Sequence, residues 1–356
     1  MKPEEAIAFL LDGHLLDARD LVQGEIRVED RSARNRSFAV HCRTRAGLFL
    51  KQARPGDVEG TLETEALVYQ RAQGEGPLAA LKPFLPAFHH FDVERQLLTL
   101  ELVGDAASAR DLEVGSRGVS EIGEQLGRAL AACHAAGTED DTATRAAFSA
   151  MLPWAFRVAL PEPDIYSDVW PLQLRLIQLV QRQRDVVERF RELRRGWQNS
   201  SFIHGDVRWT NVLITSAGEL RIVDWEGAGI GDPAWDLSCA FEAWLARGIE
   251  SLELRAGDGP ADASAHFARS LPPLQQQMSL CWQAYAAAST LSPAALRFVL
   301  DRAVAYTGVR LLQSAYEWSR GRPEFTPFIL FSIQLAVNLL RKSPTEQAAI
   351  LGLRIA

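Results

Sequence analysis

The stretch from Phe202 to Trp235 constrains this chain of 356 residues more than any other. An apolar run leads into His204-Gly205-Asp206, a second run, Val212-Leu213-Ile214, follows Asn211, and the polar cluster Ser216-Ala217-Gly218-Glu219 precedes a third run that ends in Asp224. Short aliphatic runs on either side of a glycine-containing polar cluster predict two strands and a tight turn. Such a hairpin returns Asp224 to the side of Asn211. Gly205 permits a sharp bend, so the Asp206 carboxylate is presented at the end of its own strand.

Moving a phosphoryl group onto a hydroxyl calls for a carboxylate that orients the hydroxyl and takes its proton late, and for neutralisation of phosphate charge by a metal. Asp206 fits the first role. An amide and a carboxylate held together by a hairpin fit the second, because magnesium takes oxygen ligands and keeps several waters. The ordered set HGD, an Asn five residues after that Asp, and IVDWE resembles the aminoglycoside phosphotransferase and choline kinase-like family, relatives of the protein kinases. The resemblance implies an α+β, two-lobed protein-kinase-like fold. Residues 1–103 would form a small antiparallel-sheet N-lobe and residues 104–356 a larger, mainly helical C-lobe. It implies Asp206 as catalytic base or hydroxyl-orienting group, Asn211 and Asp224 as Mg2+ ligands, and His204 as a structural member of the loop. In GDPAWDL it implies that Asp232 and Asp236 brace the catalytic loop. Arg208, two residues past Asp206, stands where kinases acting on serine and threonine carry a lysine; it either neutralises the transferring group or forms a structural ion pair.

Upstream, helical spacing of Ile7, Leu10, Leu11 and Leu15 predicts a helix over 3–21, and strands are predicted over Gly24–Glu29, Arg36–Cys42 and Gly47–Gln52. Lys51 closes the third of these. It resembles the lysine that grips the α- and β-phosphates of ATP (or GTP) in kinase-like folds, with Glu65, on a helix predicted over Val58–Ala72, as its partner. The loop 30–35 lies where the family covers the phosphates, yet it has no glycine. Arg31, Arg34 and Arg36, with Asn35 and Ser37, either stand in for main-chain amides there by side chain or form an exposed arginine cluster. Strands over Ala87–Asp92 and Gln96–Val103 follow, and the family resemblance places backbone groups near Glu101 and Val103 against the adenine edge.

Past Gly104 the pattern is helical: Ser116–Ala136, two stretches between Asp164 and Trp197, then 233–246, 263–290, 293–320 and 326–341. Gly257 to Pro260 and the Pro272-Pro273 pair punctuate this part. The arginines between Arg182 and Arg195 face several sides of a helix and read as solvated surface. His134 and the aromatic residues Trp282, Tyr285, Tyr306, Tyr316 and Trp318 read as packed core. A formal net charge of −7 argues against a nucleic-acid partner. Cys42, Cys133, Cys239 and Cys281 are too scattered for a disulfide frame or zinc site and predict reduced thiols in a cytoplasm. Phe328–Leu340 is too short and too interrupted to span a membrane and reads as a buried helix.

Three functions remain open on this sequence. The first is a phosphotransferase acting on the hydroxyl of an aminoglycoside-like or choline-like small molecule. The second is a Ser/Thr kinase of a precursor peptide in a lanthipeptide- or thioamitide-like pathway, working with a lyase; Tyr306–Leu340 and HGDVRW resemble that branch. The third is a non-catalytic scaffold, which the glycine-poor loop permits and the intact Lys51, Asp206, Asn211 and Asp224 argue against.

Overall fold

The computed structural model describes residues 2–23, 25–32, 35–54, 61–112, 119–252 and 260–354. Its contacts gather the chain into two units, 1–118 with 209–228 and 119–208 with 229–356. A division at Gly104 assigns 209–228 differently. That stretch joins the first unit because its strands pair with residues that directly follow Gly104. In chain order the strands are β1 Arg27–Asp30, β2 Arg36–His41, β3 Leu48–Gln52, β4 Phe88–Asp92, β5 Leu97–Glu101, β6 Ala107–Ser108, β7 Ser201–Ile203, β8 Val212–Ile214, β9 Leu220–Ile222 and β10 Gly229–Gly231.

In the first unit β1-β2-β3-β5-β4 form an antiparallel sheet. Side chains alternate across it with a period of two. Phe38, Val40, Leu48, Leu50 and Leu97 therefore face one way, where they bury against Ala6, Leu10 and Leu16. Ser37 pairs with Lys51, and Phe49 with Leu100, on the opposite face. The N-terminal helix is shorter than its apolar spacing predicts. It runs from Pro3 to Asp12, and a second helix covers Ala18–Gln23. Gly13 ends the first by donating its amide to the Phe9 carbonyl at 3.0 Å, and His14 takes the left-handed φ of 55°. The first strand likewise begins at Arg27 rather than Gly24, which lies outside the described residues.

The hairpin forms in the expected register: Val212 faces Ile222 and Ile214 faces Leu220. Gly218 takes φ 83° in its turn, a backbone region that suits a residue without Cβ. β6, too short to stand out in the sequence, adds a third strand along β8.

In the second unit, helix Val119–His134 packs closely against helix Pro260–Ala288. Small residues make the approach possible: a Cβ on Gly127 would sit 2.2 Å from the Cys281 carbonyl oxygen, and one on Gly123 would sit 2.5 Å from that of Gln277. Pro272 and Pro273 lie inside this helix instead of interrupting it. Helices Pro293–Trp318 and Pro327–Leu340 begin at Ser292 and Thr326, whose hydroxyls accept the Ala295 and Ile329 amides, with proline at the first helical position. Helix Pro327–Leu340 buries one face; Leu330 on the other stays exposed. Helix Arg184–Arg195 buries Val186, Val187, Phe190 and Leu193. Its arginines pair outward with Glu188, Glu192 and Glu162, as a solvated face should. No helix among the described residues is long and apolar enough to cross a membrane, and the four cysteines are free.

Candidate functional site

Within the first unit, the polar face of the sheet and the β8–β9 hairpin enclose a cavity of about 630 Å³. Lys51 stands in it. The side chain is only 11 % exposed, so its ammonium must find partners in the chain. Nζ lies 2.6 Å from Glu65 Oε2, is hydrogen-bonded to Asp224 Oδ1, and is 3.7 Å from Glu226 Oε2. Burial by itself would lower the lysine pKa; Glu65 and Asp224 outweigh it and hold that pKa above its ordinary value. Burial, reinforced by Asp224, raises the pKa of Glu65 despite the bond to Lys51. One ammonium facing three carboxyl groups leaves an excess of oxygen donors.

Asn211 lines the same cavity from the 3-10 turn Trp209–Asn211, and its carbonyl accepts the Val223 amide at 3.0 Å. That bond continues the hairpin and brings Asn211 level with the end of β9. Asp224 then departs from strand geometry with φ 66° and ψ 58°. Asp is among the few side chains that tolerate this left-handed region. Trp225 anchors the bend, fully buried, with its indole N–H donating to the Ile222 carbonyl at 3.1 Å.

The loop between β1 and β2 is only partly as expected. Arg31, Asn35 and Ser37 line the cavity, and Asn35 Nδ2 donates to Glu226 Oε2 at 3.3 Å. Arg36 does not line it. It is the first residue of β2, flanked by Asn35 and Ser37 and exposed, so strand alternation turns it away. Arg34 lies outside the described residues. Glu101 and Val103 line the opposite wall, and the Glu101 carboxylate accepts the Ala87 amide at 3.1 Å.

Among the cavity residues that the sequence analysis did not name, two bear on its chemistry. Glu226, two residues past Asp224 in IVDWE, supplies the third carboxylate. Tyr69 stands one helical turn after Glu65, a spacing that puts both on one face. Its hydroxyl is buried without a hydrogen-bond partner among the described residues. An unsatisfied buried hydroxyl costs on the order of 1–3 kcal/mol. Tyr69→Phe is therefore expected to raise the melting temperature of the unliganded protein, as read by differential scanning calorimetry; a fall would mean that the hydroxyl has a partner.

The second unit holds the Asp206 loop. β7 carries the chain into it, and Gly205 bends it with φ 83°. The two oxygens of Asp236 accept the His204 and Gly205 amides at 2.7 and 2.9 Å. His134 Nε2 lies 3.1 Å from the same carboxylate, and its Nδ1 lies 3.1 Å from the Tyr285 hydroxyl. Burial alone would raise the Asp236 pKa, but His134 and the loop amide overcome it and keep the carboxyl below its usual range. Trp235 adds an indole bond to the Gly205 carbonyl at 2.9 Å. Asp232 plays another part, capping helix Pro233–Glu250 through the Ala234 amide and pairing with Arg302 at 2.8 Å. With the loop so held, Arg208 donates to Asp206 Oδ1 from Nε at 2.9 Å and from Nη2 at 2.7 Å, and its Nη1 lies 3.5 Å from Glu317.

Comparison with known proteins bears on the family and the fold. The sequence profile described as the phosphotransferase enzyme family matches residues 26–281. Among solved structures, a choline/ethanolamine kinase family protein from Mesorhizobium loti is 16 % identical, with a TM-score of 0.55 and 99 % of each chain covered. The choline kinase LicA from Streptococcus pneumoniae is 15 % identical, with a TM-score of 0.52, covering 94 % of this chain and 98 % of its own. A spectinomycin phosphotransferase, solved with ADP and spectinomycin, is 12 % identical, with a TM-score of 0.52 and coverage of 98 % and 99 %. At these identities the likeness speaks for the fold. No curated protein sequence matches the chain.

Proposed function

We propose that this chain, which belongs to the phosphotransferase enzyme family, moves the γ-phosphoryl group of ATP or GTP onto a hydroxyl of a small molecule. The observation that carries the reading is the buried Lys51, shared between Glu65 and Asp224 in a cavity of nucleotide size. A scaffold has no use for an ammonium so pinned. In this reading Lys51 turns from Asp224 to the α- and β-phosphates while Glu65 keeps its stem in place, and backbone groups at Glu101 and Val103 meet the base. Asp206 orients the acceptor hydroxyl and receives its proton; Arg208 neutralises charge on the transferring group.

The donor set suits magnesium. Asp224 and Asn211 offer hard oxygens, and the carboxyl groups around Lys51 outnumber the cation, so a divalent ion relieves an existing excess of negative charge. When bound, it would draw charge off the phosphate oxygens. The four free cysteines accord with a reducing cytoplasm.

The reading is tested by thermal melting with ATP, GTP and ADP, each with and without magnesium. A ligand at about 100 times its Kd adds roughly 2.7 kcal/mol to the folded state. A magnesium-dependent rise is the expected result. No rise at millimolar nucleotide would leave the scaffold as the better description.

A further inference from the structure

We infer that Arg310 is a positioning residue for Asp206: a fixed buried cation that holds the carboxylate in place while Arg208 leaves it for the transferring phosphoryl group. The inference rests on the phosphotransferase reading above. It begins with the two arginines that share one oxygen. Arg208 makes short hydrogen bonds to Asp206 Oδ1, but its side chain is 37 % exposed and has a second anchor in Glu317. Glu317 is itself steadied by Gln313 Nε2 at 2.8 Å. A half-buried arginine with two anchors can exchange one for a phosphate and remain tethered by the other.

Arg310 is the opposite kind of group. It comes from the middle of helix Pro293–Trp318, is 2 % exposed, and brings Nη2 within 3.8 Å of the same Asp206 Oδ1. Its other carboxylate, Glu242, is 3.9 Å away and already accepts the Ser314 hydroxyl at 2.7 Å. Its Nε has no hydrogen-bond partner among the described residues. The guanidinium lies 5.5 Å from the ring centroid of Trp235, whose indole N–H holds the Gly205 carbonyl. Burial alone pulls the Arg310 pKa down; the carboxylates of Glu242 and Asp206 act against it, and the group stays a cation.

A buried ion is tolerated when close pairing repays its desolvation. Here both carboxylates stand at ionic rather than hydrogen-bonding distance, and one guanidinium nitrogen is left over. A closed structural salt bridge does not look like this. A standing charge does: it attracts Asp206 from behind without occupying the lone pairs that a hydroxyl needs. Through Trp235 it also backs the turn that aims the carboxylate. When Arg208 swings toward phosphate, Arg310 is the cation that remains.

The test uses magnesium-ATP as donor and water as acceptor, reading phosphate release and melting temperature on the full chain. Arg310→Gln is expected to lower kcat by roughly 100-fold, the cost of a misplaced reacting group. KM for ATP should stay within about threefold, since binding is untouched. Arg310→Lys, which keeps the charge, should recover most of the loss; if the glutamine variant fails to fold, the pH profile of Arg310→Lys carries the test, since its kcat should fall at high pH, where a buried lysine loses its proton and the parent's arginine does not, and a profile like the parent's overturns the inference. Glu242→Gln serves as the control: it disturbs the same buried pair and should leave kcat near that of the parent. A folded Arg310→Gln with parental kcat overturns the inference and leaves the proposed function standing. A loss equal in Glu242→Gln and Arg310→Gln also overturns it, as mere structural damage. A parent chain that neither binds nor hydrolyses the nucleotide overturns the function itself, and this inference with it.

Discussion

Asp206→Asn is expected to lower phosphoryl transfer by roughly 10²- to 10⁴-fold, the range for loss of a general base, while magnesium-ATP still raises the melting temperature as it does in the parent chain. The substitution keeps shape and removes charge. The loop itself does not depend on the Asp206 side chain: Asp236 holds the His204 and Gly205 amides, and Trp235 holds the Gly205 carbonyl. An amide at position 206 still offers an oxygen to Arg208, so the arginine need not collapse elsewhere. What is lost, on the proposed function, is the group that would take the proton and aim the hydroxyl. Phosphate release under single-turnover conditions separates this step from binding. Parental turnover in the folded variant would remove Asp206 from the mechanism.

Those parts of the site set by short-range rules were legible in the sequence. Lys51 stands out by its resemblance to the kinase-like lysine at the end of a strand, and alternation in that strand puts it with Ser37 and Phe49 on one face and Phe38, Leu48 and Leu50 on the other. Asn211 and Asp224 follow from a hairpin whose turn residues fix its register. Arg36 marks the limit of that logic. A cluster of arginines does not tell which member faces inward, and a step of one residue reverses the answer. What was not legible depends on packing between distant segments. Tyr69 and Arg310 read as ordinary helix residues until the hydroxyl of one is seen buried and the guanidinium of the other is seen behind Asp206, 104 positions away. Gly123 and Gly127 look like weak points in a helix, yet they admit the backbone of helix Pro260–Ala288. Prolines inside that helix cost about 3 kcal/mol each in isolation, and sequence reading has no term for the packing that outweighs them. The aromatic residues behaved as core for the same reason: Trp235 and Tyr306 sit in a buried cluster with Phe156 and Trp197.

Asp224→Asn carries the other large expected effect, and it falls on binding rather than on the acceptor. Asparagine tolerates the left-handed backbone at this position as well as aspartate does, so the bend after β9 should survive. In the unliganded protein two changes oppose each other. Lys51 loses a charged partner but keeps Glu65, and the repulsion of Asp224 against Glu65 and Glu226 disappears. The net change in unliganded stability should therefore be small, about 1 kcal/mol either way, the typical net worth of one hydrogen bond. With nucleotide the balance differs. The phosphates bring several negative charges into a cavity that retains Glu65 and Glu226, and the strongest oxygen donor for a divalent cation is gone. The magnesium-dependent part of the roughly 2.7 kcal/mol expected from saturating magnesium-ATP should vanish, so that ATP with magnesium melts no higher than ATP with chelator. Lys51 still offers its charge, so a residual, magnesium-independent shift is the signature of a site that has lost its metal but kept its lysine. An undiminished magnesium-dependent shift would mean that the cation is held elsewhere, with Glu226 the first residue to replace.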